Sequence, residues 1–517
     1  SREIADVKTI ASMIDSFAIF SVIWSLGAAC ETSSRTPFSQ HLRKLLSGQI
    51  ENCRPFKKFV PALPDRASVF DYNFSLASTS WVLWSETVEP QSIPNSAAVE
   101  GIIVQTVDNI RYSYILKHCI EHRIKLLFCG PTGTGKTVYM QQALMSLAKE
   151  THTQLITGFS AQTNCGQTQD LLDAKLERRR KGVFGPPAGK VMVVMVDDLN
   201  MPVKETYGAQ PPIELLRQGV DSIAYAPSGG WFERKDVAHP FRSITDVLLF
   251  AAMGTPGGGR TFVTPRLLGH FCLIGFPLLD DDNMTQIFST ILDWKFRVDA
   301  YPQEVCNMSK KLVQATLEIY KNTAAELLPT PLKVHYTFNL RDFAKVIHGV
   351  LLLKKGECQG EGRHVRLWAH EILRVIGDRL IDDADRKWML IQLREIVKKT
   401  FQASFDELFQ HLDSDADGKV DKLDEIRTLF FGDLLSPAGV PRRPYTECPD
   451  VAALQKEVEG HLIQHNDMSN KPMDLVCFLY MLEHLSRIAR VIKTPGGNAL
   501  LVGLGGSGRQ RCTSLAR

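Results

Sequence analysis

Gly130-Pro131-Thr132-Gly133-Thr134-Gly135-Lys136-Thr137 satisfies every fixed position of the pattern GxxxxGK[ST]. The apolar run 125–129 leads into it, and Val138, Met140, Leu144 and Leu147 follow at helical spacing. A strand, a glycine-rich turn and a helix in that order wrap backbone N–H groups around phosphate oxygens. In that arrangement Lys136 offers a compact positive charge to the β- and γ-phosphates, and Thr137 offers a hydroxyl to Mg²⁺. The plainer reading is an ordinary glycine-rich turn between a strand and a helix.

Further along, Val191-Met192-Val193-Val194-Met195-Val196 ends in Asp197-Asp198. An apolar strand closing on an acid, some sixty residues after a phosphate loop, is where the ligand of a Mg²⁺-bound water belongs. That role falls to Asp197, and Asp198 stands in the water-orienting position. Hydrolysing ATPases of this build mostly carry Glu there. Asp is shorter by one carbon–carbon bond, about 1.5 Å, and a misplacement of about 1 Å can cost a hundredfold in rate. ATP or ADP binding is therefore the firmer expectation, with slow hydrolysis or none. The plainer reading is a solvated strand end. A third apolar run, 247–252, completes a strand–helix alternation between Ile102 and Phe276, which predicts a parallel sheet covered on both faces.

The bulk numbers exclude little. With 517 residues and 44% hydrophobic content the chain is long enough for three or four units, and a net charge of +3 gives no reason to invoke nucleic acid or a membrane. Its 11 cysteines are scattered without CxxC pairs, as in a reducing compartment. The apolar stretch from Phe17 to Cys30 is short for a membrane span and reads as a buried helix. No signal peptide is visible at Ser1-Arg2-Glu3, and the missing initiator Met reads as a fragment. Arg178-Arg179-Arg180-Lys181 reads as a solvated loop rather than a nuclear signal.

The chain resembles an axonemal dynein heavy chain of the inner-arm type, from the end of its second AAA+ module through the third to the start of the fourth. The resemblance rests on the phosphate loop and on Phe159-Ser160-Ala161-Gln162-Thr163. It extends through the segments 178–187, 196–202 and 207–214 to His335-Tyr336-Thr337-Phe338-Asn339-Leu340-Arg341-Asp342, and covers essentially the whole chain in collinear order. It implies an AAA+ P-loop NTPase with all-helical lids. Arg341 then matches the lid arginine that senses the γ-phosphate, and Arg266, in Thr264-Pro265-Arg266-Leu267-Leu268, matches the arginine offered to a neighbouring module. Two departures stand out: Met253-Gly254 occupies the place of a polar sensor residue, and Gly269 that of a second arginine.

Two more loops carry chemistry. Gly503-Leu504-Gly505-Gly506-Ser507-Gly508-Arg509-Gln510 follows the run 499–502, expected as a strand, and resembles the fourth module's phosphate loop. Gly503, Gly508 and Arg509 are its candidate phosphate contacts, with Arg for Lys and Gln in place of the Mg²⁺-binding hydroxyl. The chain stops at Arg517, before any carboxylate strand. Asp413-Ser414-Asp415-Ala416-Asp417-Gly418-Lys419-Val420-Asp421-Lys422-Leu423-Asp424 fits the twelve-residue EF-hand pattern. Its ligands to Ca²⁺ would be Asp413, Asp415, Asp417, the Lys419 carbonyl, Asp421 and Asp424, with Gly418 at the turn. Phe401, Phe405, Leu408, Phe409 and Leu412 would form one face of the entering helix. Asp at position twelve weakens Ca²⁺ closure and lets Mg²⁺ compete, while Glu425 falls one residue out of register. The plainer reading is a solvated acidic loop.

These readings divide the chain into a preceding lid (1–60), a connector (61–94), a large α/β subdomain (95–299), its helical lid (300–400), an EF-hand-like insert (401–436) and the start of the next module (437–517). The resemblance implies a nucleotide-binding contribution to microtubule-based ciliary motility. The implied partners are the other AAA+ modules, intermediate and light chains, and microtubules reached through regions outside this span. The implied location is cytoplasm, cytoskeleton and ciliary axoneme, with no nucleic acid or membrane partner. Two alternatives remain: a regulatory nucleotide-binding module without motor chemistry, and a stand-alone remodelling ATPase in a homohexamer.

Overall fold

The computed structural model describes residues 7–50, 61–89, 91–225, 232–233, 241–357, 360–435, 444–494 and 496–517. The Pro-rich joint at 437–444 lies, but for its last residue, outside them. The chain divides into two compact units, residues 1–91 with 105–279, and residues 92–104 with 280–517.

The first unit is built on five strands: β1 (Leu126–Cys129), β2 (His152–Gly158), β3 (Val191–Asp197), β4 (Val247–Met253) and β5 (Cys272–Gly275). All pair in parallel, in the order β5-β1-β4-β3-β2. The near-continuous apolar runs of β1, β3 and β4 follow from the two-residue period of a strand, which sends alternate side chains to opposite faces, both covered here; β2, at the sheet edge, is mixed in composition and only partly buried. On one face Leu126, Phe128, Val193, Met195 and Phe250 join Leu116, Tyr139 and Met140. On the other, Leu127, Met192, Val194, Leu249 and Ala251 pack with Leu172, Ile213 and Leu216. Both faces are covered by helices, as the alternation predicts.

The apolar N-terminal stretch forms the helix Val7–Ser25. Residues Thr9–Ala29 are long and apolar enough to cross a membrane by length and composition alone. The helix buries one side only. Ile19, Ile23 and Trp24 join the hairpin residues Tyr72 and Phe74, whereas Ile10, Ile14 and Val22 are exposed. Residues Ser80–Leu83 form a strand antiparallel to Tyr72–Ser75. The basic run is also a strand rather than a loop: Glu177–Arg180 pairs with Val183–Gly185, and Arg179 is fixed by Asp246 at 2.5 Å.

The second unit contains five long helices, Asp281–Val298, Ser309–Glu326, Leu340–Val350, Glu361–Val375 and Asp383–Ile396. Helices Val451–Met468, Leu479–Lys493 and Arg509–Ala516 follow. A buried charge cluster joins them. Glu371, with no exposed surface, accepts hydrogen bonds from Tyr445 Oη (3.0 Å) and from the Arg490 guanidinium. One expectation fails here, because residues 498–502 form no strand. Leu500 and Val502 lie exposed, and an extended run becomes a strand only by pairing, for which the described residues supply no partner.

Candidate functional site

Three strands of the first unit end side by side, and their carboxyl ends carry the phosphate-loop residues and both acids. Ligands of open parallel sheets bind at this edge. β1 delivers the chain into the loop, whose Gly133 and Gly135 take left-handed backbone angles of +83° and +87° that side chains disfavour. Gly130 is required for a different reason. A Cβ there would stand 2.4 Å from the carbonyl oxygen of Phe276. Helix Lys136–Met145 starts directly after Gly135, so its unpaired first N–H groups face the loop's concavity.

Lys136 is buried. Its ammonium donates to the carbonyls of Gly130 (2.9 Å) and Pro131 and to Thr134 Oγ1 (3.2 Å). Burial, with a contribution from the Arg260 charge, lowers its pKa to about 8. Thr137 Oγ1 donates to Asp197 Oδ2 at 2.8 Å, joining the two sequence-read Mg²⁺ ligands across the site. Asp197 is the last residue of β3. Asp198 follows with φ +51°, a left-handed angle rare for a non-glycine residue, and its N–H donates to Asp197 Oδ1 at 3.0 Å. Such strain persists where the surroundings impose it, often at functional sites. Arg260, which the sequence reading passes over, lies beside Asp198, Nη2 to Oδ1 at 3.5 Å.

The loop therefore has a backbone cradle, a lysine held at its centre, and a hydroxyl–carboxylate pair of the kind that shares a Mg²⁺ ion. These residues fit a Mg²⁺–nucleotide. Two arginines are also expected to serve a nucleotide. Arg266 lies exposed in the first turn of the short helix Pro265–Leu268, whose N-cap is Thr264. Arg341 belongs to the second unit, exposed in the first turn of helix Leu340–Val350 behind a capping box of Asn339 and Asp342.

The loop at 503–510 repeats the first loop's backbone. Gly506 and Gly508 have φ of +82° and +74°, matching Gly133 and Gly135 in register. Arg509 folds back as Lys136 does, with Nη2 donating to the carbonyl of Leu504 at 3.0 Å. The helix Arg509–Ala516 follows, with Gln510 where the first loop has Thr137.

At the acidic loop the structure departs from the reading. The three carboxylates that converge, all within 4.8 Å of one another, belong to Asp413, Asp415 and Glu425. Asp424 turns outward to Arg427 at 3.2 Å. Lys422 reaches between the acids, contacting Asp415 and, at 3.8 Å, Asp417. Asp413 Oδ2 accepts from the Gly418 N–H at 2.9 Å. Lys419 and Asp421 are exposed. The entering helix is broken as well. After a π-turn at Val397–Phe401, Gln402 takes φ +56° and only the short turns Phe405–Leu408 and Gln410–Leu412 remain.

Comparison with known proteins agrees with this geometry. The family description "P-loop containing dynein motor region" matches residues 91–279, and "Dynein heavy chain AAA lid domain" matches 2–86. "AAA+ lid domain" matches 312–411, and "P-loop containing dynein motor region D4" matches 473–517. Among curated proteins, the chain is 43% identical over 506 residues to mouse dynein axonemal heavy chain 12, covering 96% of this chain and 16% of that protein. It is 42% identical to human dynein axonemal heavy chain 3 (96% and 12%) and 36% identical to human dynein axonemal heavy chain 1 (99% and 12%). The chain thus spans between 12% and 16% of the length of these relatives.

Proposed function

Because the chain belongs to the axonemal dynein heavy-chain family, we propose that its first unit binds ATP or ADP with Mg²⁺ and hydrolyses it slowly or not at all. The observation that carries this reading is the Thr137–Asp197 pair at 2.8 Å beside a buried Lys136. A hydroxyl and a carboxylate so placed would hold the metal, whose part is to neutralise charge on the phosphates. The loop amides and Lys136 would orient the terminal phosphates. Asp198 would set the attacking water, and its short reach limits turnover. Arg266 would face a neighbouring module's nucleotide, and Arg341 would read the γ-phosphate from the lid.

Titration with a fluorescent ADP tests this. Saturable, Mg²⁺-dependent binding that disappears in Lys136→Ala supports it, and binding indifferent to that substitution refutes it.

In its setting the module would serve microtubule-based motility of cilia, in the cytoskeleton of the axoneme, the site that the relatives' names state. Its partners would be the other AAA+ modules of the heavy chain and the intermediate and light chains, with microtubules reached through parts outside this span. The differing family matches at 91–279 and 473–517 favour this over a homohexameric remodelling ATPase, which needs one module type. A purely regulatory module, nucleotide-bound without turnover, is favoured by Asp198 and by Gly254 in the sensor position. At 503–510 the repeated backbone supports phosphate contact by Gly503, Gly508 and Arg509, without a hydroxyl for Mg²⁺.

For the loop 413–424 the proposal is weak divalent-cation binding, Ca²⁺ or Mg²⁺, with Glu425 taking the closing role that the pattern gave to Asp424. Displacement of Lys422 opposes it. Calorimetry should show a small Ca²⁺ heat that Asp413→Ala removes; no heat in either protein rejects it.

A further inference from the structure

We propose that Arg260 is an intramolecular sensor of the terminal phosphate, held in reserve by Asp198 and occupying the space left by the missing sensor side chain at Gly254. The inference rests on nucleotide binding at the loop 130–137. It starts from a gap. Gly254 directly follows β4, and a Cβ built there would meet Arg260 Nε at 2.4 Å and Cδ at 2.6 Å. The guanidinium therefore fills the volume that any side chain at 254 would take.

Its surroundings hold it there. Gly257, Gly258 and Gly259 have φ of +120°, +57° and +88°, and a bridge between Gly257 and Arg260 closes this turn. Asn200 is fully buried; its Nδ2 donates to the carbonyl of Gly254 at 2.8 Å, and its backbone carbonyl accepts from Thr261 N–H at 2.9 Å. Gln210 Nε2 fixes Thr261 Oγ1 at 2.6 Å. The residues on both sides of the glycine turn are thus tied to the segment after β3, and the turn delivers Arg260 to Asp198.

The guanidinium is incompletely satisfied. Nε is buried without a hydrogen-bond partner, and the contact from Nη2 to Asp198 is long, at 3.5 Å. A half-exposed ion pair of that kind is worth at most about a fivefold preference. Hydrogen bonds from arginine to a phosphate are stronger and can engage two donors at once. A triphosphate whose terminal group lies beyond Lys136 would therefore draw Arg260 from Asp198, leaving that carboxylate free to hold water. A diphosphate, lacking the group, would leave the pair intact. The result is discrimination between ATP and ADP by a residue of the same module.

The test is binding of fluorescent ADP and of a slowly hydrolysed ATP analogue to the full chain in Mg²⁺. Arg260→Ala should weaken the ATP analogue about ten- to hundredfold while ADP moves less than about twofold. Gly254→Ala, whose Cβ meets only the flexible end of Arg260, should reproduce this. Asp198→Asn should tighten the ATP analogue in the parent and not in Arg260→Ala. If Arg260→Ala does not fold, Arg260→Gln serves the same comparison. Equal loss of both nucleotides, or no loss of either, overturns the inference while leaving phosphate-loop binding intact. Parent protein that binds neither nucleotide overturns both.

Discussion

Asp198 concentrates the chemistry of the site in one side chain. Its backbone is strained, its carboxylate stops one methylene short of the usual acid, and Arg260 stands against it. Asp198→Glu restores the missing reach and should raise steady-state ATP turnover about tenfold or more over the parent. An unchanged rate would mark a module that binds without turning over. The loop residues and both acids were legible in the sequence because each sits in a contiguous motif whose chemistry needs those residue types in order. Arg260 was not legible. Its contact with Asp198 spans 62 positions and depends on the absence of a side chain at Gly254, which no local pattern records. Glu425 was set aside for a register reason that holds in a long-helix EF-hand and lapses here, where the flanking helices shrink to single turns.

Three of the five core strands, β1, β3 and β4, were legible at the scale of elements, because burial on both faces makes a strand apolar throughout and leaves a short dense run; β2, mixed and half-exposed at the sheet edge, carries no such run. The run at 499–502 has the same composition without a partner among the described residues, and composition alone cannot tell the two apart. Strand formation in the basic hairpin was equally hidden. Its four residues are all exposed, so pairing rather than burial shapes it. The break before the acidic loop permits a direct test. Gln402 is exposed with φ +56°, an angle that costs most residues about 1–2 kcal/mol. Part of that is offset by glycine's greater freedom when unfolded, so Gln402→Gly should stabilise the protein by about 0.5–1 kcal/mol in denaturant melts. Destabilisation would mean that the turn is not left-handed. The charge cluster in the second unit makes an opposite case. Glu371→Ala leaves the Arg490 guanidinium buried without its carboxylate and should cost about 3–5 kcal/mol.

Across the whole molecule, acid should loosen the second unit first. The ring of His370 is fully buried, faces Arg374, Arg487 and Arg490, and donates from Nδ1–H to the carbonyl of Leu429 at 3.1 Å. Burial first, then those charges, push its pKa well below 6.5, and burial lowers His364, His411 and His484 too. Each stays neutral when folded while the unfolded chain takes up a proton. Their stability contribution is present above about pH 6.5 and is lost as pH falls below it, at up to about 1.4 kcal/mol per pH unit for each histidine. Asp378, raised by burial, acts in the opposite sense at lower pH. The melting temperature should therefore fall between about pH 7 and pH 5, with a shallower slope in His370→Leu. An unchanged slope would locate the proton uptake elsewhere. The collinear order of loops and lids was legible at this scale, because each module begins with its own glycine pattern. The buried network was not, since its members lie up to 119 positions apart.

The most direct measurement is isothermal titration of the purified chain with Mg²⁺–ADP, run beside Lys136→Ala and Thr137→Ala. Phosphate binding at the loop 130–137 requires a saturable, Mg²⁺-dependent site in the parent that Lys136→Ala removes and whose Mg²⁺ dependence Thr137→Ala weakens. Binding of equal strength in all three proteins would contradict it.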